Sequence, residues 1–533
     1  MNKNLHELIS WFPSGTAEGE KAILERVFVY VDEFSNVMAP PVGNPHLLVG
    51  SKGSGKSAII DFALRVLKQQ SVPATLITPY DIDSSRIGES NSTGDMVRVF
   101  YSVLMSSIAT KLSEESTGWF DGDRAVLYRE AIATGERSPD FIGRMGKFLG
   151  DVAKPIIKVD FNSAFPHLSK VTRSELEKAI ERSLDSKGFY VFIDDTDQIA
   201  SPEKPGHLNR IWALLLAVRR LSSNIPEVKA VVSLRSEVWE RLQVDPAGQR
   251  DQTDHFKSLC VLMKSSKDHV EKIVERRLAL AAANLGSDGN AGAPFLDGRG
   301  QEHYSPFFEG VGARAPHSED FRSWRDLILV RSRQRPRDAI QLVNLLAKRA
   351  ESKKKGRIDE EVFQAVMPGF SETIANLFGQ EVVLECPAAV EILKTFADVE
   401  YKNGGFTMSS EEVLDHFRKI ISKFSVILYG CSLNQQKDSD IFEIWRFFYI
   451  SGVLNARVSD IREKNGYRHL DPEQDQTLVS KVRWNDLQAT LWEVNTVYRD
   501  FLINVEKANS TRIGLAVKRS TRRNASRGRR RGS

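Results

Sequence analysis

Apolar residues recur at helical spacing through residues 17–37, where Ile23, Leu24, Val27, Phe28, Val31 and Phe34 predict one amphipathic helix. A Pro/Gly linker from Met38 to Pro45 separates it from His46-Leu47-Leu48-Val49, a short apolar run that reads as the end of a buried strand. The stretch Ala58 to Leu67 reads as a helix and Ala74 to Pro79 as a second strand. Asp95 to Leu112 reads as a helix with Val99, Val103 and Ile108 on one face. Residues 113–172 mix aromatics and glycines without a period and are read as an insertion. Phe189 to Ile193 is continuously apolar, the pattern of a strand buried on both faces. An amphipathic helix over Leu208 to Leu221 leads to a further strand, Val228 to Leu234. A short strand at Leu259 to Leu262 and a helix from Lys267 to Ala281 follow. Strands alternating with helices predict an α/β fold with a parallel sheet.

Past residue 282 the pattern changes. Residues 283–320 are rich in Gly, Ala, Asp and Pro and predict a long loop or insertion. Arg335-Pro336-Arg337-Asp338 opens a helix carrying Ala339, Leu342, Val343, Leu345 and Leu346. Proline is well placed there, because its missing N–H costs nothing in a first turn. Ile358 to Val366 starts another short helix, Ile441 to Leu454 reads as an aromatic-rich helix, and Val494 to Val505 as the last helix. The basic segment Gly466 to Pro472 after the aromatic helix fits a winged helix, and a plain helical packing domain fits as well. The predicted organisation is an N-terminal helix and linker (1–45), a core (46–282) with its insertion, a loop and helical lid (283–378), a mainly helical C-terminal domain (379–510) and a disordered basic tail (511–533).

Composition narrows the class. At 533 residues the chain is long enough for about three domains. With 41% hydrophobic and 27% charged residues it is a folding, globular sequence rather than a disordered one. Cys260, Cys386 and Cys431 lack metal-ligand spacing, which argues against a zinc site or disulfide framework and suits a reducing cytoplasm. No apolar run approaches the ~18 residues of a membrane span, and Met1 to Pro13 lacks the apolar stretch of a signal peptide. The net charge of +4 is uneven: nine Lys/Arg and no acid follow from Arg512 onward, so the remainder sums to −5. An arginine-rich tail binds polyanions by releasing their counterions. The alternative reading of the tail is a solvated segment that only improves solubility.

Candidate chemistry centres on Gly50-Ser51-Lys52-Gly53-Ser54-Gly55-Lys56-Ser57, which matches the phosphate-binding loop G-x-x-x-x-G-K-[ST] at every fixed position. Strand, glycine turn and helix are all expected there. The glycines let backbone N–H groups face a phosphate, and the helix N-terminus adds partial positive charge. Lys56 is expected to reach the β- and γ-phosphates and the Ser57 hydroxyl to ligate Mg²⁺. The second signal is the apolar strand ending in Asp194-Asp195, since ligands sit at the carboxyl edge of such sheets. Asp194 is expected to hold Mg²⁺ through its water shell and Asp195 to orient the attacking water. Asp197 is a third acid without an assigned role. Arg235, ending the next strand, either touches the γ-phosphate or caps the strand in a solvated ion pair.

Phosphate loop, Asp-Asp strand, arginine-tipped strand and a later Arg-Pro-Arg, in that order, resemble the AAA+/STAND side of the P-loop ATPases. More narrowly, the chain resembles bacterial members related to the STAND and origin-recognition branches, over roughly residues 40 to 375. The resemblance implies ATP and Mg²⁺ as ligands, a helical lid after the nucleotide domain, and an arginine of a Pro-Arg motif reaching back to the phosphates. That arginine maps onto Arg337, with Arg335 the second candidate. Asp195 stands where many AAA+ members carry Glu and STAND members often carry Asp. A shorter carboxylate holds water less closely, which suits a slow switch. The resemblance implies an ATPase switch in a DNA transaction or in defence against phage, homo-oligomeric on ATP binding. Nucleic acid and an effector protein are the expected partners, with no membrane. The alternative is a nucleic-acid-binding regulator that binds nucleotide with little hydrolysis. The sequence carries no nuclease, protease or deaminase constellation, and no acceptor-binding segment for a kinase.

Overall fold

The computed structural model describes residues 3–79, 92–115, 126, 173–184, 188–199, 207–244, 250–263, 266–286, 303–402, 405–462, 466–470, 472, 474, 475 and 477–510. The chain divides into two compact units. The sheet unit comprises Tyr30–Gly50 with Lys56–Met263, and the helical unit comprises Met1–Val29, Ser51–Gly55 and Lys264–Ser533. Most of the expected insertion at 113–172 and all of the basic tail lie outside the described residues.

Five strands build the sheet unit: β1 (His46–Gly50), β2 (Ala74–Ile77), β3 (Phe189–Ile193), β4 (Val228–Arg235) and β5 (Cys260–Leu262). They lie in the order β2-β3-β4-β1-β5, and every pair is parallel. This is the α/β arrangement with a parallel sheet expected from the alternation of strands and helices, with the phosphate-loop motif following β1. All five positions of β3 are buried, which is why its sequence is unbroken by polar residues. Alternate side chains leave opposite faces of the sheet. Leu47, Val191 and Val232 join a core with Phe100, Leu104, Trp212 and Val218 from the helices Thr93–Glu115 and His207–Asn224. Leu48, Phe192 and Val231 are buried outside that core. The register sets Gly50 opposite Arg235 and Ile193 opposite Val232. The carboxyl ends of β3, β4 and β1 therefore lie side by side on one edge.

The helix expected over 17–37 is not continuous. It is broken into Ala17–Glu20, Leu24–Val27 and Asp32–Met38, with extended backbone at Phe28 and Val31. The apolar stripe serves two cores rather than one. Val27 packs in the helical unit, whereas Tyr30 and Phe34 form an edge-to-face cluster with Phe62 of the helix Lys56–Gln69.

In the helical unit, the helix Lys3–Trp11 packs on the helices Lys267–Gly286 and Pro336–Ser352. The short helix expected from Ile358 is a 22-residue helix, Glu360–Glu381, capped by Asp359, whose side chain accepts from Val362 N. A small hairpin, β6 (Gly312–Arg314) with β7 (Phe321–Ser323), begins inside the loop expected at 283–320 and ends just beyond it. Farther on, β8 (Tyr401–Lys402), β9 (Gly405–Ser409), β12 (Leu454–Ser459), β13 (Tyr467–Leu470) and β14 (Leu491–Val494) form an antiparallel sheet in the order β13-β12-β14-β9-β8. A two-strand hairpin, β10 (Ile427–Leu428) with β11 (Cys431–Ser432), lies between the helices Ser410–Lys423 and Asp438–Ile450. Strand, two helices and strand pair is the element order of a winged helix, here with β14 set between β9 and β12. The aromatic helix ends at Ile450, earlier than its sequence pattern implied, and Leu454 opens β12. Val494 ends β14, and the last helical residues are 499–510. Among the described residues no helix is long and apolar enough to cross a membrane.

Candidate phosphate-binding site

The loop Ser51–Gly55 leaves the buried strand β1, and a 14-residue helix begins at Lys56. Gly53 (φ +81°) and Gly55 (φ +104°) lie in the left-handed region that other residues enter only with strain. A Cβ placed on Gly55 would meet no atom within 4 Å, so the backbone there is open to a ligand. Ser54 is buried, and its Oγ has no hydrogen-bond partner among the described residues. A buried hydroxyl left unpaired in this way fits a loop shaped for phosphate oxygens. The Lys56 ammonium donates a 2.8 Å hydrogen bond to the Gly50 carbonyl, which holds the charge at the start of the loop.

Asp194 follows β3 and is 8% exposed. Its Oδ1 accepts the Ser233 hydroxyl and, at 2.9 Å, the Asp195 backbone N–H. Thr196 in turn donates its hydroxyl to the Ser233 carbonyl, which ties the turn after β3 to β4. Asp195 is exposed and has φ +52°, a left-handed conformation that aspartate tolerates better than most residues. Asp197 lies in the short 3₁₀ helix Thr196–Ile199. Arg235 is half-buried at the end of β4, in register with Gly50. The sequence reading missed Ser233, although a hydroxyl inside Val231-Val232-Ser233-Leu234 is the one polar break in that apolar run.

In the helical unit, four arginines alternate through Arg331-Ser332-Arg333-Gln334-Arg335-Pro336-Arg337. Arg333 and Gln334 take φ near +50°, a turn that lets neighbouring side chains diverge. Arg331 bonds the Thr496 carbonyl at 2.6 Å and Asp500 at 3.1 Å. Arg333 is paired with Asp338 at 2.6 and 3.2 Å and donates to the Tyr498 hydroxyl. Arg335 is buried, 3.2 Å from Glu381 Oε2 and 3.4 Å from the Ser451 carbonyl. Arg337 stands 3.9 Å from Glu381 Oε1, and its Nε is buried with no hydrogen-bond partner among the described residues. A Cβ placed on Gly53 would lie 3.6 Å from Arg337 Cβ and 3.8 Å from Arg335 Cδ, so both arginines flank the phosphate loop.

Glu381 was not foreseen from the sequence. Burial pushes its carboxyl pKa up, but Arg335, Arg333, Lys52 and Arg337 outweigh that and hold it below the usual glutamate value. The acid therefore stays ionised beside the cations of the phosphate loop and of the Arg-Pro-Arg segment.

A family model described as a FunZ-associated C-terminal helical domain matches residues 307–377, a stretch that includes all four of these arginines. Three solved structures align over most of the chain. They are the Aeropyrum pernix ORC1 protein in complex with DNA (14% identity, 88% of this chain and 91% of that one, TM-score 0.30), the Aeropyrum pernix ORC2 protein in its ADPNP-ADP complexes (10%, 92% and 94%, 0.38) and Cdc6p from Pyrobaculum aerophilum (11%, 94% and 98%, 0.31). No curated protein matches the chain by sequence. TM-scores of this size leave the reading of the site to the residues described above.

Proposed function

We propose that this chain is a Mg²⁺-dependent ATPase that works as a slow, nucleotide-controlled switch of the AAA+/STAND kind. The observation that carries the reading is the glycine loop, left-handed at Gly53 and Gly55 and open at Gly55, with the Lys56 ammonium at its start. The backbone N–H groups of Gly50 to Ser57 would bind phosphate oxygens, and Lys56 would leave the Gly50 carbonyl for the β- and γ-phosphates. Ser57 and Asp194 would hold Mg²⁺, which takes few protein ligands beside phosphate oxygens. When bound, the ion would neutralise charge on the phosphate oxygens. Asp195 would orient the attacking water, and Arg235 and Arg337 would read the γ-phosphate.

The setting we infer, on the resemblance stated above, is a DNA transaction or an anti-phage system with chemistry performed by a partner effector. The tail would contact nucleic-acid phosphates, and ATP binding would promote self-assembly. A second reading keeps nucleotide binding with scarcely any hydrolysis. It is favoured by the exposed, left-handed Asp195, an acid shorter than glutamate.

Equilibrium binding of a fluorescent ATP analogue, followed by phosphate release with and without DNA, tests both readings. Lys56→Ala should abolish binding and hydrolysis while leaving the circular dichroism spectrum unchanged. Unaltered nucleotide binding by a folded Lys56→Ala protein would sink the assignment. Tight binding with no phosphate release, DNA present or absent, would favour the second reading.

A further inference from the structure

We infer that Glu381 competes with the γ-phosphate of ATP for Arg337, so that the chain senses ATP by exchanging one anion for another. The inference rests on the nucleotide reading above. Glu381 is the anion that the structure sets among Arg335, Arg337 and Lys52. The two arginines are held unequally. Arg335, 8% exposed, has both the carboxylate and the Ser451 carbonyl as partners. Among the described residues Arg337, 29% exposed, has only a 3.9 Å approach to that carboxylate, and its Nε has no hydrogen-bond partner.

An arginine held so loosely is the one that a phosphate can take, because its planar fork matches two phosphate oxygens. The departure of Arg337 leaves Glu381 paired with Arg335, so no buried acid is orphaned. ADP offers no γ-phosphate to make the exchange. Glu381 therefore weakens ATP binding selectively and acts as a threshold against weak occupancy. The exchange also reaches beyond the loop. Arg335 joins Glu381, the last residue of the helix Glu360–Glu381, to Ser451, which follows the helix Asp438–Ile450. A changed charge on Glu381's partners alters the hold on Ser451.

The test is a set of dissociation constants for ATP and ADP, measured calorimetrically on the full chain. The proteins are the unaltered protein, Glu381→Gln, Arg337→Ala and the double variant. Glu381→Gln should tighten ATP by about two- to fivefold, the scale of a partly exposed ion pair, and leave ADP unchanged. The gain should vanish in the Arg337→Ala background. Equal shifts for ATP and ADP, weaker ATP binding, or a gain that persists without Arg337 would each overturn the inference. Should Glu381→Gln fail to fold, Glu381→Asp keeps a charge for Arg335 while withdrawing from Arg337, and it should shift ATP binding in the same direction. Failure of the nucleotide reading looks different: the unaltered protein and Lys56→Ala would then bind ATP equally or not at all, and the inference would fall with it.

Discussion

Ser233 donates its hydroxyl to the buried carboxylate of Asp194 across the β3–β4 pair. The same oxygen accepts the Asp195 backbone N–H at 2.9 Å, so two donors hold the carboxylate in one orientation. A hydrogen bond to a charged group contributes about 1.5–3 kcal/mol. Ser233→Ala should therefore slow Mg²⁺-dependent phosphate release by roughly tenfold or more and raise the Mg²⁺ concentration needed for half-maximal rate. Nucleotide binding without Mg²⁺ should be unaffected. A Mg²⁺ titration of phosphate release would show this. An unchanged curve would mean that the Asp195 backbone N–H alone orients the carboxylate.

Asp195→Asn keeps the size and the left-handed turn, since asparagine also tolerates positive φ. It loses the charge that polarises water. ATP should bind with near-normal affinity and turn over on the order of 10²-fold more slowly, as for the loss of a positioned base. Single-turnover hydrolysis separates the two effects. A normal rate would move the role to another acid, with Asp197, two residues on, the first to replace.

The parts legible in the sequence were those written locally. A continuous apolar run ending in two acids and a glycine loop between a strand and a helix each occupy fewer than ten consecutive residues, and each lies where its pattern placed it. Glu381 could not be read that way. It meets Arg335 and Arg337 from more than forty positions away, and nothing in its own helix marks it. The helix Glu360–Glu381 extends well past the Ile358 to Val366 stretch that its pattern marks, and it runs through Pro368, a residue that usually disfavours a helix interior. The stripe over residues 17–37 misled for a different reason: its periodicity is real, but its two halves pack in different units.

Arg331 and Asp500 form an ion pair whose side chains are 2% and 1% exposed. Burial, with Arg499 nearby, pulls the guanidinium pKa down to about 10, and Asp500 opposes that fall. Removing one partner strands a buried charge, at a cost of about 3–5 kcal/mol. Asp500→Ala should destabilise the helical unit by that amount in urea unfolding followed by tryptophan fluorescence. Replacing both residues, as Arg331→Met with Asp500→Leu, should cost less than either single change. A double variant as unstable as the sum of its parts would show that the pair contributes through shape rather than charge.

His416 should make the helical unit acid-sensitive. Burial lowers its pKa to about 4, and Lys419 and Lys423 add to the fall. Its ring stacks on Phe396 at 4.6 Å, and its Nε2 lies 3.0 Å from Thr395 Oγ1. The unfolded chain takes up a proton near pH 6.5, and the folded chain only near pH 4. Stability is therefore fully present above about pH 6.5 and is lost as the pH falls toward 4, by up to about 3 kcal/mol. His416→Gln should flatten that part of the profile in thermal melts between pH 7 and 4. An equally steep decline in the variant would assign the acid sensitivity to carboxylates instead.

The tail concentrates eight Lys/Arg between Lys518 and Arg531 and has no aromatic residue to stack on a base. Its contacts with nucleic acid would go to phosphates and would be indifferent to sequence. The chain before Arg512 sums to a net negative charge, so it repels a polyanion at long range unless a local basic surface intervenes. Each duplex phosphate neutralised contributes a slope of roughly −0.9 to the plot of log affinity against log salt. Deleting residues from Lys518 onward should weaken binding to a mixed-sequence duplex at low salt and flatten that slope by several units. Basal phosphate release should not change, since the tail contributes no residue of the phosphate loop or of the acid pair. Affinities with equal slopes for the two proteins would make the tail a solubility feature. Binding of DNA would then have to come from the folded residues, with Arg462 and Arg468, at the turn between β12 and β13 and on β13 itself, the first to replace by alanine.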